Sequence, residues 1–361
     1  MVKLFSSSIT ILVLTIAAVK AQTAGGTIDP TLYPKANEIP PTDSPEVQAW
    51  LKEIDFKGAP DLPLNVGEPP ECPEPPVPEE CYWTCDGCAG DDIVKCGRAN
   101  TWGLTFDDGP STATPTLLDY LKTNKLSGTF FLIGSNIVEY PDIVKREVAE
   151  GHHLASHTWS HHALTTLTNE QIVAEMKWTE KAVMEATGLR LKYMRPPYGD
   201  INNRVRFVLK KLGYIPVDWT GDEFDTNDWQ PSMTVSKVVS LFTKSLDAYV
   251  ATNRTSGFYC LEHDLNADTV GFAQELIPLG LARNITIANV AQCESDAQPY
   301  QNDGGSVPTP SGNVTTPTGT ATETSQASGS PTSKPNGAES HKAGVLAVAG
   351  VAAAAIAGLV L

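Results

Sequence analysis

Trp102-Gly103-Leu104-Thr105-Phe106-Asp107-Asp108-Gly109-Pro110 is the stretch on which the fold turns. A mostly apolar, β-favouring run ends abruptly in two carboxylates and a Gly-Pro pair, which predicts a buried strand running out into a tight turn. Similar short apolar runs follow at 128–133, 153–156, 191–194, 214–219, 257–261 and 285–290, separated by amphipathic segments. About seven βα units of this kind predict an α/β fold, a distorted (β/α) barrel of about seven strands over residues 99–300. The clearest helix is expected at 169–187. There Ile172, Met176, Val183 and Ala186 recur on one face, Thr168 and Gln171 can form a capping box, and Gly188 stops the helix. That apolar stripe is core.

Polar clusters follow the predicted strands, and in a βα barrel the C-terminal strand ends converge on the face where active sites are built. Asp107-Asp108-Gly109-Pro110 is the first; by itself it could equally be a solvated turn. The second, Ser156 to His162, has His157 and His161 four residues apart, on one face if the segment coils into a helical turn. With one carboxylate such a pair supplies three ligands to a divalent metal and leaves a position for water. His152, His153 and His162 are read as bystanders. Arg195-Pro196-Pro197-Tyr198-Gly199 is stiffened by its prolines and can hold a cation and a backbone N–H in place. Asp225-Thr226-Asn227-Asp228-Trp229 and Leu261-Glu262-His263-Asp264 complete the set, and a carboxylate aimed at an imidazole raises its pKa and keeps it available as an acid.

Thr-Phe-Asp-Asp-Gly-Pro, His-Thr-x-x-His, Arg-Pro-Pro-Tyr, Asp-x-x-Asp-Trp and Leu-x-His, in that order over about 160 residues, resemble the five motifs of the polysaccharide deacetylases of carbohydrate esterase family 4. The resemblance covers roughly the central 200 residues; the flanks are similar in layout to fungal cell-wall chitin deacetylases. It implies removal of N-acetyl groups from chitin or chitosan. Asp107 is then the general base, and Asp108, His157 and His161 hold one divalent metal, zinc or cobalt. His263 is the general acid, Arg195 orients Asp107, and Asp228 pairs with His263, with Asp225 a second candidate for that pairing. The Tyr198 backbone N–H helps hold the oxyanion, while Pro197, Trp229 and Leu261 belong to the substrate pocket. A non-catalytic wall-binding protein would not need the full set of acid, base and metal ligands. Acetylated xylan or peptidoglycan remains an alternative polymer.

Composition and flanks bear on compartment. A formal net charge of -16, from 26 basic and 42 acidic residues, argues against a nucleic-acid partner, which needs clustered Lys and Arg. Lys3 and the apolar run 9–19 predict a signal peptide, 1–21. Residues 22–98, rich in Pro and acids, predict an extended, cysteine-stapled arm. The Ser/Thr/Pro-rich segment 301–342 predicts a disordered stalk. The apolar tail 343–361, with no basic residue after it, predicts a glycosylphosphatidylinositol (GPI) signal, with attachment at Asn336 or alternatively at Ser328-Gly329-Ser330; a spanning helix is the other reading. Sequons at Asn253, Asn284 and Asn313 agree with secretion to the cell surface. Seven cysteines predict disulfides over a zinc knuckle, with one left over; Cys260 is one that could be bridged. Nothing in the sequence points beyond a monomer.

Overall fold

A computed structural model describes residues 27–301. The predicted signal peptide, stalk and tail, with Asn313 and Asn336, lie outside the described residues. Eight short strands are present among the described residues: β1 Thr101–Gly103, β2 Thr105–Asp107, β3 Thr129–Leu132, β4 His153–Ser156, β5 Tyr193–Met194, β6 Ile215–Pro216, β7 Phe258–Tyr259 and β8 Thr286–Ala288. They pair in parallel in two sheets, ordered β7-β1-β8 and β2-β3-β4-β5-β6.

The first predicted strand is thus two. The Leu104 N–H donates to Ala288 O (2.9 Å), while Leu104 O accepts from Thr129 N (2.9 Å), so the chain exchanges its β8 neighbour for β3 at this residue. Isolated parallel bridges, Asp107 to His263 and Asp225 to Leu261, draw the chain after β7 against the end of β2. The result is an α/β barrel, distorted where the chain passes from one sheet to the other at Leu104.

The helices are α1 Pro45–Leu51, α2 Trp83–Asp86, α3 Thr114–Asn124, α4 Gly134–Glu139, α5 Pro141–Ala149, α6 Asn169–Thr187, α7 Asn203–Lys211, α8 Val235–Val250, α9 Ala267–Ala282 and α10 Val290–Cys293. Helix α6 has the expected bounds: Thr168 and Gln171 form a capping box, and Gly188 ends it in the left-handed region. Between helices and sheets lie Trp102, Phe106, Phe130, Leu132 and Leu154, all fully buried. Each such side chain contributes about 1.5–3 kcal/mol of burial.

The arm is less extended than expected. Ser44 Oγ accepts from Val47 N (3.3 Å) and Pro45 opens α1, so Val47 reaches the core and Trp50 packs edge-on to Trp178 at 5.2 Å. Disulfides Cys72–Cys85 and Cys81–Cys88 staple its second half, and Cys96–Cys293 ties it to α10. Cys260, which the sequence left open to bridging, is free and buried. It precedes Leu261 directly after β7, inside the core.

Candidate active site

The turn after β2 places two carboxylates differently. Asp107 is 2% exposed, and its Oδ1 accepts from Arg195 Nη1 (2.8 Å). Asp108 sits at φ +74°, an uncommon conformation for a non-glycine residue. Gly109 must lack a side chain: a Cβ there would lie 2.3 Å from Asp264 Oδ2. Asn136 Nδ2 donates to Asp108 O (2.8 Å), and Ile133 N donates to Gly109 O (2.9 Å), so the end of β3 and the start of α4 brace the turn.

His157 and His161 meet, with ring centroids 4.9 Å apart, but not on a helical turn. Thr158 (φ +67°) and His161 (φ +61°) are left-handed, and the loop is held from outside. Gly134 N and Ser135 N donate to Thr158 O and Trp159 O. Glu175, buried on α6, accepts from Trp159 N (2.8 Å), Ser160 N (2.9 Å) and Ser160 Oγ (2.5 Å). Burial pushes the Glu175 carboxyl up against these bonds. Sequence reasoning missed this residue; its signal was an acid three residues past Ile172 on a face that is otherwise core.

Asp108, His157 and His161 form a three-ligand group with donor atoms within 4.8 Å of one another. Asp108 Oδ1 is 3.4 Å from His157 Nε2 and 3.2 Å from His161 Nε2. His157 Nδ1 is 2.8 Å from Arg195 O, and a carbonyl only accepts, so Nδ1 carries a proton and Nε2 is the ring nitrogen turned toward Asp108. Burial pushes His161 down to about 4, with Asp108 opposing, so it is neutral at pH 7. Burial disfavours ionisation of Asp108, but the surrounding imidazoles of His157, His161 and His263 hold its carboxyl well below the usual range. Asp108 Oδ1 is buried with no hydrogen-bond donor. Two imidazole nitrogens and an undonated carboxylate oxygen suit a divalent cation such as zinc or cobalt.

Arg195 is fully buried and reaches several ways. Its Nε donates to Val217 O (2.9 Å), its Nη1 also donates to Thr105 Oγ1 (3.0 Å), and the guanidinium lies 4.2 Å from the Phe131 ring centroid. Across the site, Asp228 accepts from both the His263 backbone N–H (3.0 Å) and Nδ1 (2.5 Å). Burial would lower the pKa of His263, but the Asp228 charge and hydrogen bond, with Asp108 and Asp107 nearby, raise it to about 10. Its Nε2 lies 3.9 Å from Asp108 Oδ2, directed into the site. Asp225 instead accepts from Asn227 N (2.9 Å), inside its own turn.

The other expected residues sit around this centre. Tyr198 is 37% exposed at φ +61°, its ring edge-on to His161 at 4.7 Å. Pro197 and Leu261 are buried, while Trp229 is 52% exposed. His152 and His153 lie in the core, the former edge-on to Phe130. His162 Nδ1 is 2.8 Å from Ser160 Oγ. Asn253 and Asn284 are exposed.

Comparison with known proteins gives concordant matches. Residues 95–217 match the polysaccharide deacetylase family. The chain is 41% identical over 252 residues to chitin deacetylase 1 of Cryptococcus neoformans var. grubii, covering 67% of this chain and 53% of that protein. It is 38% identical over 286 residues to chitin deacetylase 3 of Cryptococcus neoformans var. neoformans, covering 75% of this chain and 68% of that protein. The solved chitin deacetylase of Colletotrichum lindemuthianum superposes with a TM-score of 0.54 at 31% identity, covering 59% of this chain and 96% of that one. The chain spans about half the length of the first two curated relatives, 53% and 55%.

Proposed function

Because the chain belongs to the polysaccharide deacetylase family, we propose that it hydrolyses the N-acetyl groups of N-acetylglucosamine residues in chitin or chitosan, releasing acetate, in a fungal-type cell wall. The observation that carries the reading is the grouping of Asp107, held by Arg195, and His263, held by Asp228, around the Asp108/His157/His161 ligand group.

When bound there, a divalent cation would polarise the amide carbonyl and make the attacking water more acidic. The chain supplies the rest. Asp107 Oδ1 is committed to Arg195, which leaves Oδ2, 3.9 Å from His157 Nε2, to accept the proton of the water. Arg195, itself fully buried, keeps that carboxylate oriented. The backbone N–H of Tyr198 faces the developing oxyanion in this reading, a role its left-handed turn suits. An amine leaves an amide only if protonated; His263, charged at neutral pH and steered by Asp228, holds the proton at Nε2. Trp229 and Leu261 wall the acetyl group.

Chitin or chitosan is favoured over xylan or peptidoglycan by the fungal chitin deacetylases among the similar proteins. Three disulfides and exposed sequon residues Asn253 and Asn284 support a secreted, cell-surface setting.

The test is acetate release from chitin oligomers and soluble chitosan, with and without a chelator, for wild type and Asp107→Asn. We expect chelator-sensitive release that drops by about 10²–10⁴-fold in the variant while metal binding persists. Metal-loaded wild type that releases no acetate from any N-acetylglucosamine polymer would sink the reading.

A further inference from the structure

Trp159 stands between the two histidine ligands in the chain, and the N-terminal arm supplies two of the contacts that hold its indole. The Tyr33 ring stacks on it, with centroids 5.7 Å apart and planes 4° from parallel. The indole Nε1–H donates to Lys35 O (3.2 Å). Trp159 is 1% exposed, so this carbonyl is what keeps a buried donor paired. From the barrel come Trp178 of α6, its ring 6.4 Å away, and Gly134 of α4, where a Cβ would lie 2.6 Å from Trp159 Cε3.

Tyr33 is itself held on α6. Its hydroxyl donates to Glu185 Oε2 (2.7 Å), Lys181 Nζ lies 4.0 Å from its ring centroid, and Lys181 pairs with Glu185 (2.7 Å). Just upstream, Ile28 is buried in the core, and Asp29 caps the short turn Pro30–Leu32 by accepting from Thr31 N (3.0 Å). Farther along, Asn65 N and Nδ2 donate to Thr165 O (3.1 Å) and Oγ1 (3.0 Å). The arm is thus fastened on both sides of its contact with Trp159.

The loop between the histidines needs such support. Thr158 and His161 hold left-handed conformations that non-glycine residues rarely adopt and that persist only where surrounding contacts over-determine them. Glu175 fixes the backbone N–H groups of Trp159 and Ser160, while the slot between arm and barrel fixes the direction of the indole. An indole free to leave that slot would let the peptides on either side turn, and the imidazoles of His157 and His161 with them. We propose that the N-terminal arm is part of the metal centre: Tyr33 and the Lys35 carbonyl act through Trp159 as positioning groups that hold His157 and His161 in the arrangement a divalent cation needs. The inference rests on Asp108, His157 and His161 holding such a cation, and it is independent of the polymer on which the protein acts.

The experiment titrates zinc against a competing chelator and records the visible absorption of the cobalt-loaded protein, which reports how the ligands are arranged. Wild type, Tyr33→Ala, Tyr33→Phe and Val47→Ala are compared, with urea unfolding of each metal-free protein to establish its fold and stability. Val47 is the control, an arm residue buried through α1 that offers the metal loop neither a ring nor a hydrogen bond. We expect Tyr33→Ala to weaken zinc by about 10-fold, the lower end of what residues that orient metal ligands contribute, and to change the cobalt spectrum. Tyr33→Phe keeps the stacked ring and gives up only the bond to Glu185, so it should restore both. Val47→Ala should lose stability and keep the affinity and spectrum of wild type. A folded Tyr33→Ala protein that binds both ions like wild type overturns the proposal. So does a Val47→Ala protein that weakens zinc as much as Tyr33→Ala, since the arm would then act only through general stability. If Tyr33→Ala does not fold, Tyr33→Leu, which fills the space without a planar ring, is read against the same outcomes. Wild type that binds neither ion removes the metal reading together with the arm's part in it; acetate release enters none of these readings, so the deacetylase assignment stands or falls separately.

Discussion

Replacing Gly109 with Ala tests whether the Asp107-Asp108 turn is held in place sterically from the His263 side. The added Cβ would lie 2.3 and 2.4 Å from the two carboxylate oxygens of Asp264 and 2.6 Å from its Cγ. Ordinary contact needs about 3.4 Å, so something must move by about 1 Å. Asp264 is poorly placed to yield: its Oδ2 accepts from Thr114 Oγ1 (2.5 Å), its O from Ser111 Oγ (2.6 Å), and its N donates to Asp107 O (3.1 Å). The turn therefore moves, carrying Asp107 and Asp108 with it. A displacement of this size costs about 10²-fold in turnover, equivalent to about 2.7 kcal/mol of transition-state stabilisation, on top of about 1–3 kcal/mol of fold stability for overpacking. Acetate release and metal titration of Gly109→Ala measure the first, and denaturant unfolding the second. The double variant Gly109→Ala/Asp264→Ala, which removes the obstructing carboxylate, should recover part of the metal affinity. A Gly109→Ala protein that binds metal and turns over like wild type would refute the steric argument.

Replacing Glu175 with Ala strands the N–H groups of Trp159 and Ser160 in the core, so the loop bearing His157 and His161 should loosen and metal affinity fall by about 10–100-fold in a competition titration. Burial first, with smaller charge effects, pushes both His152 and His153 down to about 4 from an unfolded 6.5. Folding favours their neutral forms, so their contribution is full above pH 6.5 and drains away as pH falls through 4, about 3 kcal/mol for each. Urea unfolding across that window should show a shallower acid loss for His153→Gln than for wild type, and identical slopes would contradict it. Removing the Cys96–Cys293 bridge by a double Ser substitution opens a link between residues 197 apart and should cost about 2–5 kcal/mol in the same assay.

Much of the site was legible because its chemistry is written in short motifs at strand ends. The runs that became β3, β4 and β7 were found because their apolar side chains are consecutive, and α6 because its stripe, cap and terminal glycine agree. The first strand was misjudged as single because hydrophobicity does not record which neighbour a strand pairs with, and Leu104 is apolar on either side of the exchange. The loop after β4 was expected to be a helical turn because four-residue spacing suits one. Left-handed Thr158 and His161 bring the imidazoles together instead, held by Glu175 from another element.

Residue types and their order by themselves indicated the α/β class, one Asp and two His as candidate metal ligands, and the acid and base candidates, since these depend on local pattern and side-chain chemistry. Only the tertiary structure decided that Asp107 and His263, 156 residues apart, share a bridge, that Asp228 and not Asp225 meets the imidazole, which cysteines pair, and that the arm's Asn65 bonds to Thr165. Those facts follow from strand register and from helices packing over the barrel, and contacts between residues far apart in the chain leave no periodic trace in sequence.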